Sequence, residues 1–402
     1  MVGKLSIFYY YSVMAHQYLE RKITNQILGV LNQGKSILLL GPRQTGKTTL
    51  VKTIAHDRYL NLMYPDLRQR YESTPELFIA EIKALHQELS HQPLVIIDEI
   101  QKVPVLTDCI QLLIDEKVAK FILTGSSARR LSNLLPGRVI KFSLRPLAID
   151  ELGKLNVPIE QILTNGLLPG IISNPSTQLE LNSYVSLYLE EEVRKEALVR
   201  NLGAFHNFLK LACIESGQPI SFRAISQEIG VNHNTVSEYY RILQDCMLVE
   251  TITPITISYT RRKLAKHPKY FIFDLGVRRI GAMEPIPLSS IQIGKIFEQF
   301  VGLELVKIIE TRPLCGLHYW RDHAGAEIDY VVIYNECYTP IEVKWTAKPT
   351  LKDARHILKF QQEYANTTKQ SYIICNTPYA VKITERIVAW PWNRLHEIKF
   401  FD

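Results

Sequence analysis

Hydrophobic and polar positions alternate in blocks along the first third of the chain. Short continuous apolar runs at residues 36–40, 94–97 and 121–124 have the composition of strands that are buried on both faces. Amphipathic stretches with helical spacing, at residues 76–88 and 105–115, lie between these runs. Strands that alternate with helices in this way predict an α/β fold with a doubly wound parallel sheet.

The pattern changes after residue 147. Residues 147–214 have mainly helical periodicity, and residues 219–250 contain two short helical segments that meet at Gly230 and are followed by an apolar strand. Beyond Asp274 a further α/β unit is predicted from its short apolar strands, at residues 328–334, 341–345 and 371–375.

These changes predict five segments. They are an N-terminal leader (1–16), a nucleotide-binding α/β domain (17–146), a helical linker or lid region (147–216), a winged-helix-like module (217–270) and a C-terminal α/β domain (271–402). The leader has an aromatic run but lacks the smooth apolar core and cleavage site of a signal peptide. Translation is therefore expected to begin at Met1 or at Met14.

Composition excludes several classes of protein. With 46% hydrophobic and 22% charged residues, the 402-residue chain is neither disordered nor fibrous. No stretch of about 18 apolar residues occurs, so neither a transmembrane helix nor a membrane partner is expected. The six cysteines are scattered without a C-x-x-C pair, which predicts reduced thiols and a cytoplasmic location. The net charge of +7 permits a polyanionic partner without requiring one.

A complete phosphate-binding motif follows the first predicted strand. Residues 41–48 fit G-x-x-x-x-G-K-[ST] and lead into a helix, a context that disfavours a chance glycine-rich turn. Backbone N–H groups of such a loop surround phosphates, Lys47 reaches the β- and γ-phosphates, and the Thr48 hydroxyl binds Mg²⁺. The residues of this segment predicted to bind ATP are Gly41, Pro42, Arg43, Gln44, Thr45, Gly46, Lys47, Thr48 and Thr49.

Two acidic residues end the second apolar run. At the end of such a strand, Asp98 is expected near the Mg²⁺ ion and Glu99 is expected to polarise the attacking water as a catalytic base. A capped strand end is the alternative, and the preceding phosphate loop makes it the weaker one. Ser126, after the third apolar run, is predicted either to contact the γ-phosphate or to begin an ordinary turn.

Arg138 is a candidate for an arginine finger that acts on the nucleotide of a neighbouring subunit in a homo-oligomer. A solvated surface arginine is the commoner explanation for such a residue.

The middle of the chain offers two candidate nucleic-acid contacts. Residues 222–243 have helix-turn-helix spacing, but the second helix exposes a nearly neutral face, so packing or protein contact explains it as well as DNA binding does. Residues 261–269 hold five basic residues and no acidic one. This run predicts a contact with the backbone of DNA or RNA, and a solvated surface is the alternative.

Acidic residues and a lysine interrupt the apolar strands of the C-terminal unit. Asp329 lies on one predicted strand, Glu342 and Lys344 share a face of the next, and Glu298 lies on a predicted helix. Nucleases use carboxylates in this arrangement to hold Mg²⁺ and a lysine to assist the nucleophile. We therefore predict a catalytic cluster with Asp329 and Glu342 as metal ligands. A purely structural cluster would instead pair Lys344 with Glu342 or Asp329.

An ordered set of motifs resembles the prokaryotic AAA-type ATPases that carry a C-terminal DUF4143 domain. The motifs are residues 41–48, 97–104, 123–127, 135–138 and 320–329, and the resemblance runs from about residue 17 to residue 360. It implies a P-loop ATPase domain, a helical and winged-helix middle, and a restriction-endonuclease-like end of the PD-(D/E)XK kind. It also implies that Asp98 and Glu99 act in hydrolysis and that Glu298, Asp329, Glu342 and Lys344 occupy nuclease-like positions.

Two functions are open from the sequence. The first is an ATPase that uses ATP and Mg²⁺ and is linked to DNA or RNA through a winged helix and a nuclease-like domain. The second is an ATP-driven regulatory switch, whose C-terminal domain is catalytically inactive and binds a protein partner or nucleic acid.

Overall fold

The structure, a computed structural model, describes residues 19–126, 135–153, 155–172, 177–189, 201–255, 267–310, 312 and 314–400. The chain divides into two units. The first consists of Met1–Leu147, Leu168–Ser173 and Asp245–Leu248, and the second of Ala148–Leu167, Asn174–Gln244 and Val249–Asp402. The predicted leader lies outside the described residues.

A five-stranded sheet forms the centre of the first unit. Its strands are β1 (Ser36–Leu40), β2 (Arg58–Asn61), β3 (Leu94–Asp98), β4 (Lys120–Gly125) and β5 (Val139–Ser143). All neighbouring strands are parallel, in the order β2-β3-β4-β1-β5. The predicted parallel α/β sheet is confirmed for this unit.

Helices cover both faces of this sheet. They are α1 (Ile23–Asn32), α2 (Lys47–Thr53), α3 (Pro65–Ser73), α4 (Pro75–Glu88) and α5 (Leu106–Asp115). Leu38 and Leu40 of β1 pack in one apolar cluster with residues of α4 and α5. Ile37 and Leu39 pack in a second cluster with residues of α1 and α2. Because successive strand residues point to opposite faces, burial on both sides requires the continuous apolar runs of the sequence.

The middle of the chain is mainly helical. Its helices are α6 (Ile159–Asn165), α7 (Pro169–Ile172), which belongs to the first unit, α8 (Thr177–Ser183), α9 (Leu202–Ile214), α10 (Phe222–Ile229) and α11 (His233–Asp245). Two antiparallel strands follow, β6 (Val249–Pro254) and β7 (Lys269–Ile272).

Short helical segments occur along the whole described chain. They are the 3₁₀ segments Ile100–Lys102, Ile149–Glu151, Leu351–Ala354 and Trp392–Glu397 and the π-helical segment Tyr184–Leu189.

The predicted junction between α10 and α11 lies at Gly230, whose φ of 68° is left-handed and suits glycine. The Asn232 side chain, next to the start of α11, accepts a hydrogen bond from the backbone N–H of Asn234 at 2.9 Å. Aromatic rings join these helices to the strands: Tyr240 of α11 stacks on Tyr270 of β7 at 4.1 Å between ring centroids. Helices α9 to α11 and the strand pair therefore share one apolar core.

An eight-stranded sheet extends from this pair of strands to the end of the chain. Its further strands are β8 (Gly316–Arg321), β9 (Glu327–Tyr334), β10 (Cys337–Val343), β11 (Ser371–Cys375), β12 (Val381–Lys382) and β13 (Ile387–Pro391). Their order is β12-β13-β11-β10-β9-β8-β6-β7. Strand β6 is parallel to β8, so one sheet crosses the domain boundary predicted after residue 270.

Three helices accompany this sheet: α12 (Leu275–Gly281), α13 (Ser290–Glu310) and α14 (Arg355–Glu363). Helix α13 approaches β9 closely at Gly302. A Cβ atom on Gly302 would lie 2.4 Å from the Tyr330 hydroxyl oxygen, and this hydroxyl donates a hydrogen bond to the carbonyl of Glu298 at 2.8 Å. Glycine at this position is therefore a packing requirement.

We expect Gly302→Ala to lower the free energy of unfolding of the second unit by about 1–3 kcal/mol, because the methyl group has to displace a buried ring. The matched control is Gly294→Ala in the same helix, where a Cβ atom meets nothing within 4 Å. It should raise stability by about 0.5–1 kcal/mol through helix propensity. All four tryptophans, Trp320, Trp345, Trp390 and Trp392, lie in the second unit, so tryptophan fluorescence during urea unfolding measures its stability alone. Equal effects of the two substitutions would contradict the close approach.

Candidate functional site

The phosphate loop has the backbone that its motif requires. It connects the buried end of β1 to the first residue of α2. Gly46 has a left-handed φ of 93°, and a Cβ atom on Gly41 would lie 2.3 Å from the carbonyl oxygen of Leu144. The Thr45 hydroxyl donates to the carbonyl of Pro42 at 2.9 Å and closes the loop. Both motif glycines are therefore fixed by backbone geometry.

Lys47 is held against this loop. Its side chain is buried, and its ammonium group donates to the carbonyls of Gly41 at 2.8 Å and Pro42 at 2.9 Å. Among the other predicted ATP-binding residues, Arg43 is half-buried, whereas Gln44 and Thr49 are exposed.

The magnesium pair that the sequence predicts is in contact. The Thr48 hydroxyl donates to Asp98 Oδ2 at 2.7 Å, which brings the loop to the end of β3 across the intervening strand β4. Asp98 is buried and also accepts hydrogen bonds from Tyr59, at 2.9 Å, and from the Thr124 hydroxyl. A hydroxyl and a carboxylate are hard oxygen ligands, so these residues fit a Mg²⁺ ion.

Burial, together with the hydrogen bond to Asp98, raises the pKa of Tyr59. The phenol therefore remains a proton donor to the carboxylate at physiological pH.

Glu99 is the next residue and has a left-handed backbone, with φ 62°. Its N–H group donates to the Thr124 hydroxyl at 3.1 Å, and its carboxylate accepts a hydrogen bond from the Gln101 amide. The same amide nitrogen lies 3.3 Å from Ser126 Oγ. A left-handed conformation raises the free energy of a non-glycine residue by about 1–3 kcal/mol, and residues strained in this way are most frequent at functional sites.

Three residues of this site were missed by the sequence interpretation. Thr124 contacts the Asp98 carboxylate, whereas the predicted Ser126 contacts Gln101. A polar residue inside the apolar run 121–124 was the available signal for Thr124. Tyr59 had no such signal, because it contacts Asp98 from a strand 39 residues away.

Arg21 is the third missed residue, and it is a buried arginine that supports the phosphate loop from outside. Its guanidinium donates to the carbonyl of Thr45 and to the carbonyl of Arg145, both at 2.8 Å. Arg21 and Arg145 are 124 positions apart in the sequence, so no local motif predicts the contact between them.

Arg138 is paired within its own chain. Its Nε and one terminal nitrogen donate to the two carboxylate oxygens of Asp115, at 2.8 Å and 2.9 Å. This hydrogen-bonded pair lowers the pKa of Asp115. A role in a neighbouring subunit would require Arg138 to leave Asp115, and that role stays a prediction.

A second group of charged residues lies in the second unit. Glu298 is on α13, Asp329 is on β9, and Glu342 and Lys344 are at the end of β10. Asp329 Oδ2 accepts a hydrogen bond from the N–H of Val343 at 2.8 Å. Lys344 Nζ donates to Glu342 Oε2 at 2.8 Å. This is the pairing expected of a structural cluster.

Two further residues join this cluster without having been predicted there. Lys269 of β7 is buried, with its ammonium 2.7 Å from Glu327 Oε1 and 3.3 Å from Glu298 Oε1. His356 Nδ1 of α14 lies 3.5 Å from Glu342 Oε1. Lys269 was predicted to contact nucleic acid as part of the run 261–269, and its burial makes that prediction wrong for this residue. Residues 261–266 lie outside the described residues.

The chain matches three protein-family models. Residues 33–153 match an AAA domain, residues 293–395 match the domain of unknown function DUF4143, and residues 158–285 match the domain of unknown function DUF8612. The chain carries an AAA domain and a C-terminal DUF4143 domain. The resemblance seen in the sequence is thereby confirmed for these two domains.

Two curated relatives occur in mycobacteria. An uncharacterized protein of Mycobacterium bovis and one of Mycobacterium tuberculosis are each 26% identical to this chain over 347 residues. Each alignment covers 83% of this chain and 75% of the relative. Among solved structures, PCH-2 of C. elegans is 15% identical and covers 61% of this chain and 68% of its own, but its TM-score of 0.25 is too low to support an assignment. In the described part of the chain, no helix is both long and apolar enough to cross a membrane.

Within the DUF4143 domain, Glu342 is buried and Glu298 is half-buried. Burial and the charge of Asp329 raise the pKa of Glu342 to about 9 and the pKa of Glu298 to about 7. Burial acts to lower the pKa of Lys344, but the charges of Asp329 and Glu342 outweigh it and raise this pKa.

These residues do not fit a divalent metal ion in this arrangement. Among the described residues, no group of three or more His, Cys, Asp or Glu side chains is placed to hold one. Lys344 also forms an ion pair with the carboxylate of Glu342, and Lys269 forms one with the carboxylate of Glu298. The role of Asp329 and Glu342 as metal ligands stays a prediction.

The raised pKa of Glu342 predicts how stability changes with pH. Unfolding releases the Glu342 proton between about pH 5 and pH 9, because an unfolded glutamate has a pKa of about 4.3. The free energy of unfolding of the second unit should therefore fall as pH rises through this range. Asp329, Lys344 and His356 face this carboxyl. The raised pKa of Glu298 adds to the fall of stability up to about pH 7.

We expect Glu342→Gln to flatten this pH dependence, so that the variant gains stability relative to the wild type at pH 8 compared with pH 5. Tryptophan-detected urea unfolding at both values measures the change, and Glu385→Gln, an exposed glutamate of the same unit, is the control. Parallel pH profiles for Glu342→Gln and the wild type would show that this carboxyl is ionised in the folded protein.

Proposed function

We propose that this protein is a Mg²⁺-dependent ATP hydrolase that works together with nucleic acid. The observation that carries the proposal is the contact between Thr48 and Asp98 beside Glu99. It brings the phosphate loop, two candidate magnesium ligands and a candidate base to one edge of the sheet. The AAA domain match over residues 33–153 supports the same activity.

Each residue of this edge has a role in hydrolysis. Backbone N–H groups of the loop and Lys47 bind the phosphates of ATP. Thr48 and Asp98 would hold Mg²⁺, which supplies positive charge to the phosphate oxygens when bound. Glu99 accepts a proton from the water that attacks the γ-phosphorus, and ADP departs as the leaving group. Gln101 and Thr124 orient Glu99 through its carboxylate and its N–H group.

We expect Lys47→Ala to lose ATP binding and Glu99→Gln to retain binding with a turnover about 10²–10⁴-fold lower, the contribution typical of a general base. Phosphate release measures turnover, and a fluorescent ATP analogue measures binding. The control is Glu88→Gln, an exposed glutamate of the same domain, which should behave as the wild type. If Glu99→Gln binds the analogue and hydrolyses ATP at the wild-type rate, Glu99 is not the base.

The nucleic-acid part of the proposal rests on α9 to α11 and the strand pair β6–β7. Three helices followed by two antiparallel strands, with a glycine turn between the second and third helices, are the elements of a winged helix. On the exposed face of α11, Arg241 lies 3.7 Å from Glu238, which offsets its charge. Contact with a nucleic-acid backbone is therefore assigned to the basic residues between β6 and β7.

We expect neutralisation of Arg261, Arg262, Lys263 and Lys266 to glutamine to flatten the salt dependence of binding to duplex DNA. The log–log slope should fall by about 0.9 for each phosphate that a cation of this run no longer neutralises. Fluorescence anisotropy with single-stranded DNA, duplex DNA and RNA over a salt series measures the slopes. The charge-matched control replaces four exposed lysines of the second unit by glutamine, Lys210, Lys348, Lys352 and Lys382. Equal slopes for both variants would return the run to an ordinary solvated surface.

A second candidate function concerns the DUF4143 domain. The pairing of Lys344 with Glu342 and of Lys269 with Glu298 favours a domain that binds nucleic acid or a protein partner without cleaving. The nucleic acids of the binding experiment, incubated with Mg²⁺, should then keep their length on a denaturing gel. Shortened products would favour the nuclease-like interpretation instead. The cytoplasm is the proposed location, because all six cysteines are free thiols.

A further inference from the structure

One buried lysine has no part in the proposed ATPase. Lys269 lies on β7, and only 2% of its side chain is exposed. Its ammonium group lies 2.7 Å from Glu327 Oε1 and 3.3 Å from Glu298 Oε1, and it sits 4.9 Å from the centre of the Tyr319 ring. A lysine is almost never buried this deeply unless opposite charges compensate it.

The partners of Lys269 come from three separate elements. Glu298 belongs to α13, Glu327 to β9 and Tyr319 to β8. The Tyr319 hydroxyl also donates to the carbonyl of His267 at 2.6 Å, so the ring is tied to the chain just before Lys269. The charge of Lys269 is thereby fixed in place by its strand, two carboxylates and an aromatic face.

We propose that the Lys269 ammonium group is the permanent counterion of the Glu298 and Glu327 carboxylates. It occupies the position that a divalent metal ion bound by these carboxylates would need. A divalent ion requires carboxylate oxygens at about 2.1 Å and would have to share them with an ammonium group of like charge. The inference rests on the second candidate function, in which the DUF4143 domain binds without cleaving. It adds to the pairing of Lys344 with Glu342 a second site at which the chain itself supplies the cation.

Lys344, the other lysine of the cluster, differs from Lys269 in one respect. Its side chain is 38% exposed, so it can turn away from Glu342 into solvent. Lys269 is held at 2% exposure and has no such path. Arg321 Nε also lies 3.9 Å from Glu327 Oε2, but its side chain is 54% exposed and can turn into solvent. Removal of Lys269, and not its movement, is therefore the change that would leave the two carboxylates without a buried cation.

The test is a Mn²⁺ titration of the full chain, with melting followed by tryptophan fluorescence. Every sample carries Asp98→Asn, so that the nucleotide site does not contribute. The Asp98→Asn protein is called the parent. Addition of Lys269→Met to the parent should produce Mn²⁺ binding at least about tenfold tighter than any binding to the parent itself. This binding is measured as a rise of Tm with increasing Mn²⁺ concentration. Lys269→Arg keeps the positive charge and should behave as the parent.

The matched control is Lys307→Met. Lys307 of α13 is also largely buried and paired, with its ammonium 2.6 Å from Glu304 Oε1. Glu304 Oε2 also accepts a hydrogen bond from the N–H of Ile149 at 3.0 Å, which continues to hold this carboxylate when Lys307 is removed, so no Mn²⁺-dependent shift is expected. A shift in this variant equal to that of Lys269→Met would overturn the proposal, because the removal of any buried ion pair would then suffice.

The parent protein supplies a second and independent arm if Lys269→Met does not fold. A Mn²⁺-dependent rise of Tm in the parent that disappears with Glu298→Gln would overturn the proposal, since a metal would then occupy these carboxylates beside Lys269. The absence of a Mn²⁺-dependent rise of Tm in the parent supports the proposal. If the Lys269→Met variant folds and gains no Mn²⁺ binding, this result also overturns the proposal. Strand cleavage that depends on Asp329 would sink the second candidate function alone, because the Mn²⁺ readout does not measure cleavage.

Discussion

The nucleotide site depends on one buried carboxylate. Asp98 accepts hydrogen bonds from Thr48, Tyr59 and Thr124, which come from the phosphate-loop helix and from the strands on either side of β3. Burial of an unpaired carboxylate costs many kcal/mol, and each hydrogen bond to it contributes about 1.5–3 kcal/mol. Three donors together therefore offset the cost of burying Asp98 next to the phosphate loop. The position of Glu99, one residue further, follows from this anchoring.

The sequence predicted those parts of the site that short stretches of chain encode. Residues 41–48 and the pair Asp98-Glu99 carry their chemistry in consecutive positions, and the continuous apolar runs predicted the parallel sheet. Arg21 and Tyr59 were not predictable in this way, because their partners lie far away along the chain. Their positions depend on strand order, and the order of parallel strands is not written in any local pattern.

The same limit applied to the charged cluster of the second unit. The pairing of Lys344 with Glu342 was one of two stated outcomes, because residues two apart on a strand share a face. Lys269 was grouped with its basic neighbours by counting charges. Its burial depends on β7 lying at the end of the eight-stranded sheet with α13 nearby, and charge patterning alone contains no information about that placement.

The continuity of the eight-stranded sheet limits where the chain can be divided. Because β6 lies beside β8, a fragment limited to the matched residues 293–395 would lack the neighbour that covers β8. The uncovered edge would present free N–H and C=O groups to other molecules, and such edges promote aggregation. Fragments intended for isolated study should therefore begin before β6, at the start of α9, so that the helices and the sheet that they accompany remain one folding unit.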